Sequence, residues 1–147
     1  METPHLASGI ALVTTMVDDR RSGLVATSVI SVSADPASLL VCTNHATSAH
    51  DAIDRAGMFC VNILGEGDEE IAAQFSSSQR RDERFLTGNW QVGPGGMPVL
   101  GTALAWFECA VEVRLAHHSH TIFIARPTTI DLGSPGRPLV YYDQTFL

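Results

Sequence analysis

The segment from Val25 to His50, VATSVISVSADPASLLVCTNHATSAH, constrains this chain more than any other. It carries small hydroxyl residues at Thr27, Ser28, Ser31 and Ser33, then a breaker at Asp35-Pro36. An apolar run follows to Cys42, with a polar exit through Asn44, Thr47 and Ser48. Runs of β-formers on either side of a proline breaker predict two strands, Leu24 to Ser33 and Ser38 to Asn44. Thr47 or Ser48 then caps a helix in which Ala49, Ala52, Ile53 and Ala56 recur at helical spacing, with Gly57 as its stop. A helix start supplies free backbone N–H groups, so an anion can bind there although the segment holds no Lys or Arg. Both hydroxyl clusters are expected to face one ligand.

Composition narrows the class. At 147 residues, with 45% hydrophobic and 17% charged residues, the chain reads as one globular domain spanning 1–147. A formal net charge of −7 and the absence of a basic stripe argue against nucleic acid as a partner. Cys42, Cys60 and Cys109 each lie in an apolar run, as expected for reduced, buried thiols. The opening METPHLASGIALVTT lacks a basic leader region, and no apolar run reaches membrane length. The expectation is a cytoplasmic protein without a membrane partner.

The remaining chain reads as mainly β. Ile10 to Val17 is a strand, followed by a polar turn over Asp18 to Gly23 that is longer than a tight two-residue hairpin loop. Met58 to Leu64 is a strand with Phe59, Val61 and Ile63 on one face. A short helix follows Gly65 to Gly67, with Ile71, Ala72 and Phe75 as its apolar side. Ser76 to Trp90 is loop-rich, and Gly93 to Pro98 is a loop. In Ala103 to Leu115 the apolar positions Ala105, Phe107, Cys109, Val111, Val113 and Leu115 alternate with Trp106, Glu108, Glu112 and Arg114, giving a strand with one buried face. His117 to His120 forms a turn, Thr121 to Ala125 a strand, and Pro138 to Tyr142 a short last strand. About seven β segments with two short helices predict an antiparallel sheet closing into a barrel.

Several clusters have simpler alternatives. Thr27, Ser28 and Ser31 also suit a solvated strand face, and Ser48 a plain helix cap. Three imidazoles at His117, His118 and His120 are not joined by a second cluster at ligand spacing, so no metal site is expected. Arg80, Arg81 and Arg84 suit a solvated surface, yet one of them can reach a phosphate or a partner subunit. No nucleophile elbow, phosphate loop or GxGxxG is present, so any nicotinamide cofactor binds outside a Rossmann fold.

Taken in order, GIALVTT (9–15), ATSVISVSADP (26–36), LLVCTN (39–44), SAHDAI (48–53), FCVNIL (59–64), ALAWFECAVE (103–112) and HTIFIA (120–125) resemble the flavin reductase-like family. The resemblance runs from about Leu6 to Tyr142. It implies a homodimeric, FMN-binding split β-barrel with Greek-key-like antiparallel strands. It implies NAD(P)H:flavin oxidoreductase activity with FMN or FAD, feeding a partner monooxygenase. It places Ala26, Thr27, Ser28 and Ser31 near the flavin ring and ribityl chain, and Asn44 and Ser48 on the phosphate side. His120 matches the family's histidine near nicotinamide and flavin. Val25 stands where the family has Thr, Ala46 and Thr47 where it often has a basic residue, and His118-Ser119 where it has Gly-Asp. These departures leave two alternatives: a flavin- or haem-binding barrel without reductase turnover, or a flavoenzyme reducing another small acceptor such as a corrinoid.

Overall fold

The structure, a computed structural model, describes residues 5–133 and 135–147. The strands are β1 (Ser8–Gly9), β2 (Ala11–Val17), β3 (Arg20–Ala26), β4 (Val29–Ala34), β5 (Ala37–Asn44), β6 (Met58–Ile63), β7 (Gln91–Val92), β8 (Pro98–Val99), β9 (Ala105–His117), β10 (His120–Leu132), β11 (Val140–Tyr142) and β12 (Thr145–Phe146). The helices are α1 (Ser48–Ala56) and α2 (Glu69–Ser76), with a 3-10 stretch at Ser78–Glu83. Seven strands form an antiparallel sheet in the order β3-β2-β6-β9-β10-β5-β4.

The sheet curls because its inward face is apolar on nearly every strand. Val13, Leu24, Ala26, Leu39, Val41, Phe59, Val61, Cys109, Phe123 and Ala125 share one core with Ala49 and Ile53 of α1, which plugs the barrel. β3 and β5 approach each other without a backbone ladder, so the barrel is split there. The expected mainly β split barrel with short helices is the fold observed. α1 begins at the Thr47 cap, whose hydroxyl accepts the His50 N–H, and ends at Gly57 in the left-handed region, as the sequence predicts.

Three local expectations are corrected. The β2–β3 turn is a tight two-residue loop, because Asp18 and Asp19 both adopt positive φ (53° and 59°), the conformation that matches strand twist. The run Leu24 to Ser33 is two strands that part at Thr27-Ser28, where the chain leaves one barrel edge for the other. The histidine turn contains only His118 and Ser119, while His117 and His120 are paired ends of β9 and β10.

Burial on β9 departs from simple alternation. Glu108 is fully buried, whereas Val113 (47% exposed) and Leu115 (56%) face outward. The glycine-rich loop before β8 covers the outer face near Glu108 and packs Met97 and Val99 on Cys60. Burial, reinforced by the Glu108 charge, pushes the Cys109 thiol up to about 12, and burial with the neighbouring Cys109 and Glu108 raises Cys60 as well. Cys42 is half-buried. A native-state thiol titration should therefore label no more than Cys42, with Cys60 and Cys109 reacting only after denaturation. Rapid labelling of all three in native buffer would contradict the burial.

Candidate functional site

β3 is an edge strand, so one side of its backbone is not laddered. α1 packs on its inner side through Ala49 and Ile53, and α2 with the following turn packs on its outer side through Ile71 and Phe75. Gly23 permits the outer approach, since a Cβ there would stand 2.9 Å from the Phe75 ring. Along this edge run two adjoining cavities. The smaller, about 110 Å³, is lined by Arg21, Ser22, Gly23, Ser48, Arg81, Arg84 and Phe85. The larger, about 600 Å³, shares Arg21, Ser22, Ser48 and Arg81 with it.

The smaller cavity carries positive charge beside the start of α1, where the helix dipole also favours an anion. Arg21 lies 4.8 Å over the Phe85 ring, which orients it. Arg84 donates to the carbonyls of Gln74, Phe75 and Ser77 at the end of α2. Burial, and then the Arg81 charge, hold the Arg84 guanidinium below its ordinary range. Arg81 has no acidic partner among the described residues. Like charges left facing each other in this way are relieved by a bound phosphate. Arg21, Ser22 and Phe85 are invisible to motif reading, because only the fold brings β3 beside α1. The arginine cluster after α2 was the available signal.

The residues expected from sequence fall in three places. Ser48 lines both arginine-bearing cavities. Thr27 lines another, of about 310 Å³, with Ser8 to Ala11, Val29, Ile63 and Leu139. Thr27 and Ser48 therefore line different cavities, Ser48 beside Arg21 to Gly23 of β3 and Thr27 just past the end of that strand. The Ala26 side chain is in the barrel core, Ser28 reaches the Cys42 carbonyl at 3.5 Å, and Ser31 is exposed opposite Leu39. Asn44 and His120 are cross-strand partners, exposed beside each other, and the Ser119 hydroxyl stands 2.8 Å from Nδ1 of His120.

Strand alternation puts His120 on the face shared by Ile122 and Ile124, away from the barrel interior. The imidazoles that gather at the barrel end are His45 and His50, whose Nε2 atoms lie 2.7 and 3.0 Å from the Thr121 hydroxyl. They escaped the sequence reading because they sit in different elements. Among the described residues, no group of three or more His, Cys, Asp or Glu is placed to hold a metal ion.

The flavin reductase like domain model matches residues 3–147. This chain belongs to that family. The FMN reductase (NADH) RutF of Methylorubrum extorquens is 38% identical over 142 residues, covering 97% of this chain and 69% of that protein. BorF, the flavin reductase component of a bacterial two-component tryptophan halogenase, superposes with a TM-score of 0.89 at 30% identity, covering 98% of this chain and 91% of BorF. The NADH:FAD oxidoreductase SgcE6 of Streptomyces globisporus, in complex with NAD and FAD fragments, gives 0.88 at 26% identity over 98% of this chain and 86% of that one.

Proposed function

We propose that this chain is an NAD(P)H-dependent flavin reductase, acting on FMN or FAD as one 1–147 domain. The observation that carries the reading is the arginine-lined cavity at the start of α1, which suits a flavin phosphate. Arg21 and Arg81 supply charge, while Ser48 and the first N–H groups of α1 supply donors. In this reading Thr27, Ser28 and the backbone at Ala26 contact the flavin ring, Ser31 the ring or ribityl chain, and Asn44 the phosphate side. His120 orients the nicotinamide. When both are bound, the nicotinamide delivers hydride from C4 to flavin N5; the chemistry belongs to the cofactors and the protein aligns them.

The homodimer belongs to the same reading. Ile30, Leu40, Ile124 and Val113 are successive cross-strand partners on β4, β5, β10 and β9, and Cys42, Ile122 and Leu115 form a second row. Ile30 is 54% exposed, and among the described residues neither α1 nor α2 runs close along the backbone of β4, β5, β9 or β10. A second copy buries such a face, and it would bring His120 and Asn44 against the partner. Reduced flavin then passes to a monooxygenase or a related flavin-dependent oxygen-using component. No described helix is long and apolar enough to cross a membrane.

Mixing the protein with excess FMN and NADH, or NADPH, under anaerobic conditions should bleach the visible flavin absorbance at many turnovers per protein. FMN binding without bleaching by either nucleotide would leave only a flavin-binding module.

A further inference from the structure

Five of the chain's six histidines, His45, His50, His117, His118 and His120, gather at one barrel end, where the β9–β10 turn meets the start of α1. Both chain neighbours of His120 are held by His45. The backbone N–H of His45 donates to the Ser119 carbonyl at 2.9 Å, and Nε2 of its ring lies 2.7 Å from the Thr121 hydroxyl. His50 of α1 reaches the same hydroxyl at 3.0 Å, with its ring centroid 4.7 Å from that of His45 and 5.9 Å from that of Phe123. A threonine hydroxyl has one hydrogen to give and two lone pairs to offer, and a neutral imidazole has one N–H and one bare nitrogen. The hydroxyl therefore donates to one ring and accepts from the other. Thr121 is 6% exposed, so water does not readily replace a lost partner. Residues 112–120 are all exposed, so the hairpin tip has little packing of its own.

We infer that His45 and His50, acting through the Thr121 hydroxyl, are positioning residues that set where His120 stands. The inference rests on the reading above in which His120 orients the nicotinamide. Successive strand residues point to opposite faces, so Thr121 turns into the imidazole pair while His120 turns out beside Asn44. Holding the residues on either side of His120 fixes its Cα and the direction of its Cβ, and with them the arc its imidazole can reach. A loosened tip presents His120 out of place in a fraction of molecules, and productive NADH use falls with that fraction. The flavin phosphate is read on the Ser48 side of α1. Ser48 and His50 stand about 200° apart round the helix axis, so a change at the imidazole pair leaves the phosphate contacts in place.

Thr121→Val keeps the side-chain shape and removes the hydroxyl, and a double-mutant cycle with His120→Ala shows whether the effect passes through His120. With FMN as acceptor, Thr121→Val should lower kcat/KM for NADH about tenfold, while the FMN dissociation constant from calorimetric titration stays within about twofold. Thr121→Ser, which retains the hydroxyl, should stay within about threefold of wild type. In the His120→Ala background the valine replacement should change kcat/KM by less than about twofold. Circular dichroism checks each fold, and His45→Ala, at an exposed position, takes the place of Thr121→Val if the latter is unstable. The inference is overturned if Thr121→Val leaves kcat/KM at the wild-type value, if it lowers it equally with and without His120, or if FMN weakens to the same extent. Failure of the underlying reading looks different: His120→Ala in the otherwise wild-type chain would leave kcat/KM for NADH unchanged.

Discussion

Replacing Glu108 with alanine should lower the stability of the fold by about 3 kcal/mol, read as a fall in the urea midpoint at unchanged slope. The Glu108 side chain is fully buried on the outer face of β9. Its Oε1 and Oε2 accept the Gly95 N–H at 2.9 and 3.0 Å, and Oε2 also accepts the Met97 N–H at 3.1 Å. Truncation leaves the buried Met97 donor unsatisfied and opens a void under the loop. Glu108→Gln should lose less, about 1 to 2 kcal/mol, because one amide oxygen still accepts while the amide N–H₂ faces a donor. Undocking of the loop also uncovers the Met97, Val99 and Cys60 cluster, so Cys60 in Glu108→Ala should become reactive toward a thiol reagent in native buffer. Wild-type stability with a silent Cys60 would mean that the loop is held by something other than this carboxyl group.

The same residue shows what the sequence made legible and what it did not. Alternation on β9 identified the strand, and its inward members Phe107 and Cys109 belong with the barrel core as expected. It assigned Glu108 to solvent, because periodicity reports which residues share a face and not what covers that face. The cover is a loop closing on the strand from residues 93–97, read correctly as a loop for its glycines. The reason for those glycines was out of reach: a Cβ on Gly93 would stand 2.7 Å from the Glu108 carboxyl carbon, and one on Gly95 would stand 2.9 Å from Oε2. α1 was legible almost to the residue, since cap, periodicity and stop are all local. The candidate site was legible by half. Ser48 and the post-α2 arginines carried local signals, whereas Arg21, Ser22 and the His45–Thr121–His50 contacts depend on which strands become neighbours. That pairing is a tertiary decision made by a curled sheet and a helical plug.

The Arg21→Ala/Arg81→Ala variant should bind FMN on the order of 100-fold more weakly than wild type and riboflavin about equally well. The two side chains meet in the small cavity with Ser48, and neither is neutralised by an acid among the described residues. A charge-assisted hydrogen bond to phosphate is worth about 1.5 to 3 kcal/mol, so losing two removes about two to four decades of affinity, the lower figure applying because the start of α1 still holds the phosphate. Riboflavin lacks the phosphate, so it isolates the charge effect from any loosening of the Phe85 ring under Arg21. Raising the ionic strength should narrow the wild-type preference for FMN over riboflavin and leave the variant's preference nearly flat, because screening acts on the phosphate contacts alone. Equal losses for both ligands would instead make the arginines part of the ring's binding wall. Unchanged FMN affinity would move the phosphate away from α1, and with it the reading that this helix start, framed by arginines of one barrel strand and of the segment after α2, is what recognises the flavin.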